Sequence, residues 1–180
     1  MAALLGAEWD LASEIAREAA QGECCDVAND NGGGQVVLSG HKGAIDRACE
    51  IAKTKGVKRA ILLPVSAPFH SALMQPAADA LKGHLATVPL AAPKIPVVNN
   101  VDVAQLNDPE AIRDALVRQA AAPVRWVETM QAMHAAGVSH VFECGPGKVL
   151  AGLNKRCADG VSTSNLNTPD AFAAARAALA

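Results

Sequence analysis

His70 lies in the segment PVSAPFHSALM (64–74), between an apolar run that ends at Pro64 and a helix-like stretch that opens at Ser71. A histidine at a strand-to-helix junction is placed for general-base work, because neutral imidazole accepts a proton near pH 7. The same position suits an ordinary solvated loop residue. A base of this kind needs a nucleophile, and acyl-transfer serines on α/β folds occupy Gly-x-Ser-x-Gly elbows. The chain contains no such elbow. SGHKG (39–43) has its outline, but Lys42 stands where the serine would be, and the segment reads as a turn before a helix. Ser66 and Ser71 flank His70, and Ser71 reads as the cap of the helix it opens. No cysteine stands in a setting that marks it as activated.

Two glycine-rich stretches suggest binding but fit turns better. ECGPGKV (143–149) resembles a phosphate loop in outline, yet its glycines are too close together and Val149 replaces the required Ser or Thr. It reads as a tight strand-to-helix turn whose backbone N–H groups could serve a lesser site role. NDNGGG (29–34) reads as a hairpin turn. His41, His84, His134 and His140 show no metal-ligand spacing and read as surface or partly buried residues.

These groups need a scaffold, and the pattern of apolar residues supplies one. AALLG (2–6), ECCDVAN (23–29), QVVLSG (35–40) and RAILLPV (59–65) are strand candidates. Between them, residues 8–20 place Leu11, Ile15 and Ala19 on one helical face, and residues 41–56 do the same with Ile45, Cys49 and Ala52. The order β-α-β-β-α-β is the pattern of a ferredoxin-like split βαβ unit. Beyond His70 the stripe Leu73, Ala77, Leu81 predicts a helix, IPVVNN (95–100) a buried strand, and DPEAIRDALVRQ (108–119) a helix capped by Asp108 with Pro109 in its first turn. Helix is predicted over 125–137, strand over 138–144, helix after Gly147, strand over 160–166 and helix over 168–180. Strands alternating with helices imply a mostly parallel sheet covered by helices.

Bulk properties narrow the class. The chain has 180 residues, half of them apolar, with 3% aromatics and no tyrosine. A base-stacking surface for nucleic acid is therefore not expected. The net charge of −2 also argues against a polyanion binder. The five cysteines, Cys24, Cys25, Cys49, Cys144 and Cys157, form no Cys-x-x-Cys pair, so neither a disulfide framework nor a zinc site is expected. No apolar run approaches the roughly 18 residues of a membrane span. A soluble cytoplasmic protein is the expectation.

Five ordered segments carry a family resemblance: GGQVVLSGHKGAI (33–45), PVSAPFHSALMQPAAD (64–79), PVVNNVDV (96–103), IRDALVRQAAAPVRW (112–126) and FECGPGKVLAGLNKR (142–156). Together they resemble the malonyl-CoA:acyl carrier protein transacylases, acyltransferases of bacterial fatty-acid synthesis related to polyketide synthase acyltransferase domains. The resemblance spans essentially the whole chain. It implies a ferredoxin-like subdomain (1–65) followed by the C-terminal part of an α/β-hydrolase-like acyltransferase domain (66–180). It implies ping-pong transfer of malonyl from coenzyme A to a serine and then to the phosphopantetheine thiol of acyl carrier protein, with no cofactor or metal.

On the family pattern His70 is the base, oriented through the backbone carbonyl of Gln119, while Asn29, Asn31, Gln35 and Arg59 line the acyl-CoA cleft. The serine elbow, the oxyanion-hole stretch and the carboxylate-binding arginine of the family are missing here. The resemblance therefore implies a fragment that begins inside a longer, monomeric parent enzyme. Alone it is expected to be inactive, and residues 66–180 to be poorly soluble or oligomeric. The alternatives are a polyketide-type acyltransferase or a non-catalytic fragment that binds carrier protein or coenzyme A.

Overall fold

The computed structural model describes residues 1–178. The chain forms two compact units, Met1–Trp126 and Val127–Ala180.

The first unit is built on a five-stranded sheet. Its strands are β1 (Ala2–Leu5), β2 (Cys25–Asp30), β3 (Gln35–Gly40), β4 (Arg59–Leu62) and a later strand at Val124–Arg125, in the order β4-β1-β3-β2 with Val124–Arg125 at the outer edge. The first four pair antiparallel throughout, and Val124–Arg125 joins β2 in parallel. Helix α1 (Trp9–Ala20) links β1 to β2, and α2 (Lys42–Thr54) links β3 to β4. Each helix thus steps over a strand that enters between its two partners.

One sheet face explains why these helices dock. Ala2, Leu4, Val36 and Leu38 alternate along β1 and β3 and form one cluster with Ala12, Ile15, Ala16 and Ala19 of α1 and Ala44, Ile45, Ala48 and Ala52 of α2. The stripes lie slightly off the expected ones. Leu11 and Cys49 sit at their margins, and alanines take the centre because a methyl lets a helix approach the sheet closely. Fully burying Leu4, Leu38, Ile15 and Ile45 stabilises by roughly 1.5–3 kcal/mol each. At the β3–α2 junction a Cβ on Gly40 would run into the Cys24 carbonyl, so SGHKG needs glycine there for a close backbone crossing.

The rest of this unit runs from a single 3₁₀ turn (Ala72–Met74) into α3 (Gln75–Leu85). A two-residue hairpin follows, β5 (Val98–Asn99) with β6 (Ala104–Gln105), then α4 (Pro109–Arg118) and β7 (Val124–Arg125). Asp108 caps α4 as expected, accepting from the Ala111 N–H at 2.8 Å. IPVVNN is not the buried strand its composition suggests. Ile95 and Val97 are 76% and 59% exposed, and only Val98 and Asn99 pair. Pro96 lacks a donor, and the Asn99 side chain takes over backbone partners, donating to the Ala104 carbonyl and accepting from Asp102 N–H, so the chain turns instead.

The second unit holds β8 (His140–Cys144) and β9 (Ser162–Leu166), a parallel pair, with α6 (Val149–Asn154) and α7 (Pro169–Ala178); α5 (Trp126–Ala135) begins at the division between units. Among the described residues, parallel pairing is thus confined to β2–β7 and β8–β9, rather than running through a large covered sheet. The division itself falls at 126/127, not at 65/66, because β7 is paired into the sheet of β1–β4. Among the described residues, no helix is long and apolar enough to cross a membrane.

Candidate active site

After β4 the chain leaves the sheet edge through Leu63, whose N–H bonds the Met1 carbonyl at 3.0 Å, and reaches His70 by way of two prolines. The His70 backbone is left-handed, with φ +57°. That region disfavours any residue with a Cβ by about 1–2 kcal/mol, so something must hold it there. Three contacts do. The Ser71 hydroxyl donates to the Pro68 carbonyl at 2.7 Å, closing the turn around the histidine. The Asp26 carboxylate on β2 accepts from the Ala72 N–H at 2.8 Å, tying the exit of the turn to the sheet. The third contact is made by the ring: His70 Nδ1 lies 3.1 Å from the Ala122 carbonyl.

That last bond decides the chemistry of the ring. A carbonyl only accepts, so Nδ1 carries the proton and Nε2 keeps its lone pair. Among the described residues Nε2 has no hydrogen-bond partner. His70 forms part of the wall of a cleft of about 370 Å³ with Trp9, Arg17, Asp26, Ala121 and Pro123. A half-buried imidazole with an oriented Nδ1–H and an unengaged Nε2 is equipped to take a proton from a nucleophile and return it to a leaving group.

The acceptor differs from the expected one. The resemblance points to Gln119, but Gln119 is the C-terminal cap of α4 and lines a separate cavity of about 410 Å³ with Asn99, Asn100 and Ile112. Two further turn bonds, Ala120 N–H to Val117 and Ala121 N–H to Arg118, carry the chain round before it faces His70 at Ala122. The Ser71 reading also changes: its hydroxyl caps no helix and is fully buried on Pro68.

The proposed cleft residues are spread along the sheet rather than gathered at His70. Gln35 and Arg59 flank Leu5 in register, on β3 and β4, and Asn31 N–H bonds the Gln35 carbonyl at 3.0 Å. Asn29 lies on β2, beside Val124 of β7. Three strand spacings, roughly 14 Å, separate β2 from β4. None of the four lines the His70 cleft.

Other candidates resolve into structure. His41 Nδ1 accepts from Cys24 N–H at 2.9 Å, and Cys24 accepts in return from His41 N–H, so SGHKG is a backbone clasp. Burial pushes the Cys25 thiol up to about 11, and burial with Asp26 nearby also raises Cys24, so neither is a ready thiolate. A serine–histidine contact that sequence reading missed joins Ser162 to His140 at 2.6 Å across β8 and β9. The Ser162 hydroxyl also lies 3.2 Å from the Ser139 carbonyl, and its contacts tie the start of β9 to β8.

The ECGPGKV turn is self-occupied. Glu143 accepts from Leu150 and Ala151 N–H at 3.2 and 2.8 Å and from the Asn165 amide at 2.9 Å. These donors, the Ala151 N–H foremost, hold the Glu143 carboxyl below its ordinary range. The helix start that might have bound an anion already holds one of its own.

Comparison with known proteins identifies the relatives. No protein-family model matches the chain. The malonyl CoA-acyl carrier protein transacylase of Escherichia coli K12 is 50% identical over 175 residues, covering 97% of this chain. The chain is a homologue of the malonyl-CoA:acyl carrier protein transacylases. It spans 57% of the length of that relative. The crystal structure of the acyl-carrier-protein S-malonyltransferase of Burkholderia pseudomallei superposes with TM-score 0.94 at 53% identity, over 97% of this chain and 57% of that one. A malonyl-transacylase solved with its type II polyketide acyl-carrier protein superposes equally well at 42% identity, over 97% and 56%. Among the residues that sequence reading left without a role, Asp26 and Ala122 bond the His70 turn and ring, and Asn100 bonds Pro123 and Arg125 beside Ala122. The segments PVVNNVDV and APVRW, prominent in the resemblance, were the available signal for Asn100 and Ala122.

Proposed function

We propose that this chain supplies the histidine half of a malonyl-CoA:acyl carrier protein transacylase acting in fatty-acid biosynthesis in the cytoplasm. The observation that carries the reading is the His70–Ala122 bond, which leaves Nε2 basic, in a chain half identical to such an enzyme. In this reading a serine supplied from outside residues 1–180 gives its proton to His70 Nε2 as it attacks the malonyl thioester. His70 then protonates the departing coenzyme A thiolate, and the roles reverse when the carrier thiol attacks the acyl-serine. Asn29, Asn31, Gln35 and Arg59 are proposed coenzyme A contacts along the sheet surface, one surface distinct from the wall that holds the base.

The strand order β4-β1-β3-β2, antiparallel throughout with both helices on one face, supports the ferredoxin-like subdomain, and the strand-helix alternation beyond it supports part of an α/β-hydrolase-like domain. Exposed Ile61, Leu62, Val65 and Phe69 near the β4 edge support self-association of the isolated chain. The likeness to a transacylase that serves a polyketide carrier favours a second reading, in which the acceptor is such a carrier.

The test is a single-turnover assay with radiolabelled malonyl-CoA, run on the chain alone and with a polypeptide carrying the Gly-His-Ser-x-Gly segment of a relative. Label is expected to transfer to holo acyl carrier protein only in the second case. Acid-stable labelling of the chain alone would show that it holds its own nucleophile. Carrier binding without transfer in the complemented mixture would favour a non-catalytic module. Comparing fatty-acid and polyketide carriers separates the two acceptors.

A further inference from the structure

The Ala122 carbonyl can orient His70 only if its own direction is set, and the structure shows what sets it. Pro123 restricts Ala122 to extended backbone, which limits where its carbonyl points. Residues 123–125 are then held along both edges. On one edge β7 pairs with β2, Val124 opposite Asn29 and Arg125 opposite Asp30. On the other edge stands a side chain, not a strand. The Asn100 amide donates from Nδ2 to the Pro123 carbonyl at 3.0 Å and accepts at Oδ1 from the Arg125 N–H at 2.8 Å. One side chain thus imitates a strand's ladder, filling one donor and one acceptor on alternate backbone groups. Asn is the shortest residue able to do both; Asp lacks the donor and Ser lacks the span.

Asn100 is itself fixed. Next to it, Asn99 closes the hairpin on Ala104 and Asp102, and Asp102 makes a two-pronged pair with Arg118 at 2.8 Å for each contact. Arg118 ends α4, so the helix that leads into residues 119–122 and the hairpin that carries Asn100 are joined by that pair.

We propose that Asn100 is a positioning residue for His70: by holding residues 123–125 in strand geometry it keeps the Ala122 carbonyl on Nδ1 and so maintains the tautomer with a basic Nε2. The inference rests on the reading of His70 as the base, and the experiment separates the two. Nitrogen–proton correlation spectra of the ¹⁵N-labelled 180-residue chain, with the ring neutral, report which nitrogen carries the proton; His70→Gln assigns the signal. Wild type is expected to show a single Nδ1–H tautomer at His70. Asn100→Ala is expected to lose it, giving a mixture with Nε2–H, with Asn100→Asp intermediate. Glu143→Gln alters the glycine turn, outside the bonds that fix Asn100, and is expected to keep the wild-type tautomer.

An Asn100→Ala chain with a wild-type amide spectrum elsewhere and a pure Nδ1–H signal overturns the role of Asn100 while leaving the base reading intact. The same holds if Glu143→Gln loses the tautomer equally. If Asn100→Ala does not fold, Asn100→Asp decides by the same criterion. A wild-type His70 protonated at Nε2 removes the base reading and this inference together.

Discussion

At residues 66–72 and at residues 143–151 a strand gives way to a helical segment through a tight loop, and the two loops end in opposite electrostatic states. Around Gly145 and Gly147 the donors of the helix start are satisfied from within, by Glu143, and the carboxylate's own acceptors are consumed. Around His70 the loop is bound by Asp26, Ser71 and Ala122, yet every one of those bonds falls on backbone or on Nδ1, and Nε2 is left over. The first loop spends its polar groups on closing a turn. The second holds a left-handed histidine in place and leaves one nitrogen for chemistry. Glycine content, which draws the eye to the first loop, marks backbone shape. Reactivity follows from which polar atom remains unpartnered.

The comparison can be broken most forcefully at the ring. In the complemented enzyme, His70→Ala is expected to lower malonyl transfer by up to a factor on the order of a million, with an unchanged amide spectrum. Glu143→Gln, in the same assay, should leave transfer within a few-fold of wild type. Equal losses from both would mean that the two loops do not differ in role.

A smaller effect is expected from Asp26→Ala, which leaves the Ala72 N–H without its charged partner. Urea unfolding should show a loss of about 1.5–3 kcal/mol. The consequence for His70 should appear as lower transfer in the complemented enzyme, because the exit of its turn is no longer held. Smaller again is the strain stored at φ +57°. His70→Gly is expected to be more stable than His70→Ala by about 1 kcal/mol, since glycine adopts that backbone without a Cβ clash. Equal stability of the two would remove the strain from the account.

The smallest expected effect is the pH response of the Glu143 turn. Its folded carboxyl lies below the ordinary value, so its contribution to stability is present above the unfolded carboxylate range, near pH 4.5. It is lost as pH falls through the lower folded value. Wild type should therefore lose thermal stability relative to Glu143→Gln as the pH drops below about 4.5, and the gap between them should close. A gap independent of pH would show that the carboxylate charge does not cap α6.

Much of the scaffold was legible because it is local. Alternating apolar residues in 2–5 and 35–40 and the helical stripes around Ile15 and Ile45 follow from chain geometry, and Asp108 with Pro109 announces a helix start. Reading failed where long-range competition decided. IPVVNN has a strand's composition, but Ile95 and Val97 stay exposed among the described residues, and the asparagines divert the chain. The partner of His70 missed by three residues, because a helix end can turn its carbonyls either way and only the packing of residues 120–123 selects one.

By itself, the sequence determined that a histidine follows the fourth strand, which family it resembles, and which faces of the first two helices are apolar, since these depend on residue type and periodicity. Tertiary structure alone decided which carbonyl fixes the tautomer, that Asp26 bonds the exit of the His70 turn while Asn100 bonds Pro123 and Arg125, and that Glu143 closes the glycine turn. Those are bonds between segments 8 to 52 residues apart, and their geometry is set by how the sheet, hairpin and α4 pack, which no local pattern encodes.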